Sequence, residues 1–271
     1  MDNLSRTHRF WVEHIHSFYI LVRFLFAVAT ALTASIGTIY LLGKGLSYTE
    51  VGAVWSVVVF VATVLDFPTG NFADIYGRKT AYVIGIACYG TGMLVYGAGT
   101  TLWMFFAAAV CVGFGAAQIS GSIFSWVIDE LIKVNKSDMI SRFFGDGTAA
   151  ASVGGIAGGI LVGLFFTGPL EILYFASGIL FILTAIFVFI SIPDNYGQSS
   201  GRWFSLPGEV VQHYVHSRPL LILSGAFALM LSCYTVFRFV WQPIALEMGM
   251  QKGDLGYLYA FFMAGSAVGA F

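Results

Sequence analysis

Gly70, Asp74, Gly77, Arg78 and Lys79 stand in the pattern Gly-x-x-x-Asp-x-x-Gly-Arg-Lys, just after Pro68 and between two apolar segments. A guanidinium makes bidentate, charge-assisted pairs with a carboxylate. A carboxylate also suits a helix N-terminus. The two glycines permit close backbone approach, and Gly77 is a natural helix stop. The stretch therefore reads as a compact polar turn, with Arg78 and Lys79 as a basic pair at a membrane edge. Such chemistry holds and releases surfaces; it makes no covalent bond.

Four further ionisable residues, Arg23, Asp66, Asp146 and Arg238, lie in or beside apolar runs. A charge inside lipid is costly, so it is usually paired or functional. At about 1.5 Å per residue, Arg23 and Asp66 sit roughly 6–9 Å below the same boundary, so they can pair. Snorkelling of Arg23 to the headgroups is the alternative. Arg238 either faces a cavity and binds an anionic group or snorkels to the far surface. Asp146, in Gly145-Asp146-Gly147, reads as a helix-start cap, with a place beside Arg78 as the alternative. His14 with His16, and His213 with His216, lack the further ligands a metal needs. No nucleophile with its base, phosphate loop or cofactor box is present. The chain is read as neither an enzyme nor a cofactor or metal binder.

The elements that position these residues are membrane spans. Of the 271 residues, 58% are hydrophobic and only 10% charged, against about 25% charged in soluble domains. The lipid bilayer is the expected surrounding, and no basic patch is large enough for nucleic acid. Cys88, Cys111 and Cys233 fall in apolar segments and read as small buried hydrophobes. A span needs about 20 mostly apolar residues. The spans are read over 17–42, 51–70, two within the uncharged run from Thr80 to Ile128, 148–167, 171–193 and 220–246, and an eighth from Gly256. With the N-terminus in the cytoplasm, the inner segments hold Arg6, Arg9, Arg78, Lys79, Lys133, Lys136, Arg142, Arg202 and Arg218. The outer loops hold only Lys44 and Lys252, and this asymmetry favours that orientation. A multi-pass protein of the plasma or bacterial inner membrane is expected.

The Gly70–Lys79 pattern resembles the signature loop between the second and third transmembrane helices of the major facilitator superfamily. The resemblance implies an all-α polytopic bundle. It divides this chain into a six-helix half (1–193), a connector (194–218) with a surface helix over 207–217, and the start of a second half (219–271). Since the chain stops inside an apolar helix, it reads as a partial sequence. In the family the loop aspartate meets helix eleven of the other half, and the loop arginine pairs with an acid at the end of helix four. That acid is here Asp129, with Glu130 as the neighbouring candidate. Helices one, four and seven line the family's cavity, so Thr33, Thr38, Gln118, Ser122 and Tyr234 are candidate lining residues. The family's antiporter pattern Gly-Pro-x-x-Gly-Gly lacks its proline in Gly154-Gly155-Ile156-Ala157-Gly158-Gly159, which favours plain helix packing there. Span 4 also lacks the arginine linked to proton coupling in many members. The implied function is secondary active transport of a small-molecule substrate by alternating access, with protons as a candidate coupling ion. Efflux of a drug or amphipathic solute is one reading. A proton-coupled nutrient or metabolite symporter is the second, and a non-transporting sensor or partner subunit the third.

Overall fold

The structure, a computed structural model, describes residues 2–165, 168–196, 212 and 215–269. The described residues form ten α-helices and one short 3-10 turn: α1 (Asp2–Ala34), α2 (Gly37–Gly43), α3 (Tyr48–Tyr76), α4 (Arg78–Ala98), α5 (Leu102–Ile119), α6 (Ser122–Lys133), α7 (Ile140–Phe165), α8 (Glu171–Ser191), α9 (Arg218–Glu247) and α10 (Asp254–Gly269). Among them, seven segments are long and apolar enough to cross a membrane. The eighth expected span is α10, a shorter helix of 16 residues. The connector, with the helix expected over 207–217, lies largely outside the described residues.

Local chemistry sets several boundaries. Ser47 caps α3 in a reciprocal box: its hydroxyl accepts from the Glu50 amide at 3.3 Å, and the Glu50 carboxylate accepts from the Ser47 amide at 2.7 Å. Thr101 accepts from the Met104 amide at the start of α5. Large apolar side chains such as Phe60, Phe165 and Ile190 are exposed, as side chains facing lipid are.

The helices pack in two neighbourhoods. In one, α7 lies between α1 and α10; in the other, α4 lies between α5 and α8, with α3 on α5 and α1 on α8. Glycine lets backbones meet at these crossings. A Cβ on Gly85 or Gly115 would press on the other's carbonyl, and Gly90 with Gly178 and Gly159 with Gly256 behave the same way.

Spans 1, 4 and 5 differ from the sequence reading. Span 1 is broken: α1 ends at Ala34 and α2 starts at Gly37. Thr30 and Thr33 turn their hydroxyls onto carbonyls of the preceding turn, which loosens a helix near its end. Span 4 is broken between Ile119 and Ser122, where Gly121 adopts φ +73°. The fifth long helix begins at Ile140 rather than near Thr148, so Asp146 lies within the helix and does not cap it.

Candidate functional site

The Gly70–Lys79 stretch is helical rather than a loop. Helix α3 runs through Tyr76 and α4 starts at Arg78, leaving Gly77 alone as the hinge at φ +104° and ψ 136°. Few residues besides glycine adopt that backbone. The position is also crowded, since a Cβ there would collide with the Asp194 carboxylate. Gly70, by contrast, is exposed, and a Cβ on it meets nothing within 4 Å.

The hinge aims Arg78 at α6. Its Nη1 lies 2.7 Å from Asp129 Oδ2, and Nη2 lies 3.4 Å from Asp74 Oδ1. Nη1 also donates to the Ser125 carbonyl. The Arg78 side chain is only 15% exposed, so solvent screens its pairs less than it would at a surface. Asp129 and Glu130 are consecutive, so α6 points them about 100° apart. Asp129 takes Arg78, while Glu130 accepts from Lys133 at 2.6 Å and from Asn195 at 3.1 Å.

The sequence reading did not include the residues that complete this cluster. Asp194, just past α8, caps α4: it accepts from the Lys79 amide at 3.0 Å, the Thr80 amide at 3.3 Å and the Thr80 hydroxyl. Lys79 returns the contact, donating to the carbonyls of Ile192 at 2.8 Å and Phe189 at 3.1 Å at the end of α8. A carboxylate on a helix N-terminus and an ammonium on a C-terminus both complement the helix dipoles. The Arg78 amide donates to the Asn195 carbonyl, and Trp126 Nε1 to the Pro193 carbonyl. Together these bonds tie the end of α3, the start of α4, α6 and the end of α8.

The opposite end of the bundle carries a different device. Gln242 of α9, only 2% exposed, sits in the break of span 1. Its Oε1 accepts from the amides of Thr38 at 2.9 Å and Ile39 at 3.3 Å, and its Nε2 donates to the Ala34 carbonyl at 2.9 Å. Helix termini leave such groups without intrahelical partners, so one side chain serves both sides of the break. Just past α2, Lys44 pairs with Glu171 at 2.6 Å.

A cavity of about 800 Å3 opens between α1, α2, α3 and α9, lined by residues that include Thr38, Trp55, Phe60, Tyr234, Arg238 and Gln242. It lies within the usual volume range of small-molecule sites. Of the candidate lining residues, Thr38 and Tyr234 face it. Thr33, Gln118 and Ser122 are buried within the helix packing. Thr33 bonds the Thr30 carbonyl, Ser122 the Gln118 carbonyl, and Gln118 packs on Gly85.

The remaining charges are dispersed. Among the described residues no ion pair joins Arg23 to Asp66. Arg23 keeps a buried Nε without a hydrogen-bond partner, while Asp66 is exposed on α3. Asp146 pairs with His16 at 2.8 Å and with Arg142 at 3.6 Å, linking α7 to α1.

The family model of the Major Facilitator Superfamily matches residues 19–271. The chain belongs to that superfamily. Among its superfamily relatives, the uncharacterized MFS-type transporter YxaM of Bacillus subtilis is 24% identical, over 86% of this chain and 59% of its own length. The uncharacterized MFS-type transporter MJ1560 of Methanocaldococcus jannaschii is 26% identical, over 59% of this chain and 41% of its own length. Multidrug resistance protein 2 of Bacillus subtilis is 30% identical, over 48% of this chain and 33% of its own. The chain thus spans between a third and three fifths of the length of these superfamily relatives. As a superfamily member, with seven segments long and apolar enough to cross a membrane among its described residues, it is a multi-pass membrane protein.

Proposed function

We propose that this protein is a secondary active transporter that moves a small amphipathic solute by alternating access, with efflux as the direction. Residues 1–193 act as one half, 194–218 as the connector and 219–271 as the start of the second half, with the N-terminus cytoplasmic. The observation that carries this reading is the shielded Arg78–Asp129 pair beside the glycine hinge. A pair of this kind can close and reopen at moderate cost, as one of two alternating gates must. Asp74 meets Arg78 at 3.4 Å through Oδ1 and keeps a third of its side chain exposed, so its carboxylate can also serve an incoming helix N-terminus, where a carboxylate contributes about 0.3–2 kcal/mol. The relative named as a multidrug resistance protein and the aromatic lining of the cavity both support an amphipathic solute.

The test is transport by the protein expressed from its gene and reconstituted in proteoliposomes. A panel of labelled amphipathic solutes should move under an imposed proton gradient. Arg78→Ala should slow flux at least as much as it changes binding. Binding without flux across the whole panel, with or without the gradient, would point to a sensor and sink the transport reading.

A further inference from the structure

We propose that the cavity between the broken first span and α9 is an anion-selective solute site, with Arg238 recognising a carboxylate or sulfonate on an aromatic body. The inference rests on the transport reading in that the occupant is taken to be the solute.

Arg238 stands one helical turn before Gln242 on α9, so both residues share a face. The three hydrogen bonds of Gln242 to the span 1 break therefore fix the rotation of α9 that sets Arg238 in the cavity wall. The guanidinium is held by ring faces and not by a carboxylate. Its Cζ lies 5.9 Å from the Trp55 ring and 5.8 Å from the Tyr234 ring. Among the described residues no acid lines the cavity and Arg238 makes no ion pair. A cation inside an apolar span without a fixed counter-charge is costly, and an anionic ligand removes that cost.

The rest of the lining sets the remaining chemistry. Tyr48, Trp55, Phe60, Tyr234 and Phe239 supply aromatic walls, while Thr38 and Ser56 supply hydroxyls. Aromatic walls around one guanidinium suit a planar apolar body with a single negative group. They suit a cationic amphipath poorly, because Arg238 repels it. A polyanion would leave its extra charges facing apolar walls. The recognised class is thus an aromatic or amphipathic monoanion. Cationic amphipaths, the other obvious efflux substrates, are disfavoured by charge.

Equilibrium binding of tritiated 2-naphthoate to the purified protein in nanodiscs tests this. Saturable binding is expected, displaced by unlabelled 2-naphthoate. The matched cation 2-naphthylmethylammonium and the neutral 2-naphthalenemethanol should compete roughly tenfold more weakly or worse, as expected for the loss of a hydrogen bond to a charged group. Arg238→Gln should weaken 2-naphthoate binding by a similar factor. Arg238→Lys should keep the preference for the anion at reduced affinity, since an ammonium retains the charge without the planar fork. Arg218→Gln, at the far end of the same helix, should change nothing. Equal competition by the cation would overturn the proposal. So would full binding in a monodisperse Arg238→Gln variant. Failure of the wild type to bind 2-naphthoate saturably would overturn it too, since another part of the protein would then fill the cavity. If Arg238→Gln does not fold, the competition series on the wild type decides alone. Selective binding without flux would keep this assignment and sink the transport reading; flux without anion preference would do the reverse.

Discussion

At the scale of single residues, Gly77 and Asp194 act as one unit. The hinge has room for the Asp194 carboxylate only because Gly77 lacks a Cβ, and its φ of +104° disfavours any other residue. Gly77→Ala should therefore cost more than the ~1–3 kcal/mol of a strained backbone alone, because the collision adds to the strain. Asp194→Ala removes the cap of α4 and should cost about 1–2 kcal/mol. The double variant should cost less than the sum, because the collision disappears with the carboxylate. Thermal unfolding of the purified proteins measures all three, and strict additivity would show that the two positions are independent. The Arg78–Asp129 approach was legible in the sequence, because residue types and family spacing marked both partners. Asp194 was not. It caps α4 through Lys79, 115 positions earlier in the chain, and no local periodicity or capping signal reports a cap supplied from across the fold.

At the scale of helices, α7 presents two glycine faces to two different neighbours. Gly154 and Gly158 meet the carbonyls of Phe24 and Val28 on α1, whereas Gly155, Gly159 and Gly163 meet Met263, Gly256 and Tyr257 on α10. The sequence reading favoured packing for these glycines, and the contacts give each face a partner. Gly154→Val should push α1 away and raise amide exchange there while α10 stays protected. Gly159→Val should do the converse. Equal exchange changes in both helices from either variant would mean that the faces are not separable. Hydropathy located the spans well, because each is a long run of apolar residues. It could not locate the break of span 1, because Ala34-Ser35-Ile36-Gly37 contains no proline and reads as continuous. The break is stabilised by Gln242, a contact between elements far apart in sequence.

At the scale of the whole molecule, orientation is checked first. In a variant with Cys88, Cys111 and Cys233 replaced by alanine, Met248→Cys should react with an impermeant maleimide from outside intact cells, and Ser137→Cys should not. The reverse pattern would invert the topology. The two ends of the bundle can then be set against each other. One end is held by Arg78, Asp129 and Asp194, the other by Gln242 in the span 1 break. In alternating access the two ends share one equilibrium, so weakening one closure should favour opening at that end and closure at the other. Thr38 is 2% exposed beside Gln242, and a cysteine there, in the same background, reports opening of the Gln242 end. Gln242→Leu keeps the side-chain bulk and removes three hydrogen bonds, each contributing about 0.5–1.5 kcal/mol net. Since about 1.4 kcal/mol is a tenfold population change, labelling at Thr38→Cys should rise about tenfold or more. Arg78→Ala loosens the opposite closure and should lower the same labelling rate below that of the parent. Combining the two should return the rate toward the parent value, because the opposing shifts act on one equilibrium. If Gln242→Leu and Arg78→Ala instead raise labelling together, the ends open independently and the bundle loosens without alternating. If Arg78→Ala leaves the rate unchanged, the charge cluster is a structural clamp on α4 and not a gate.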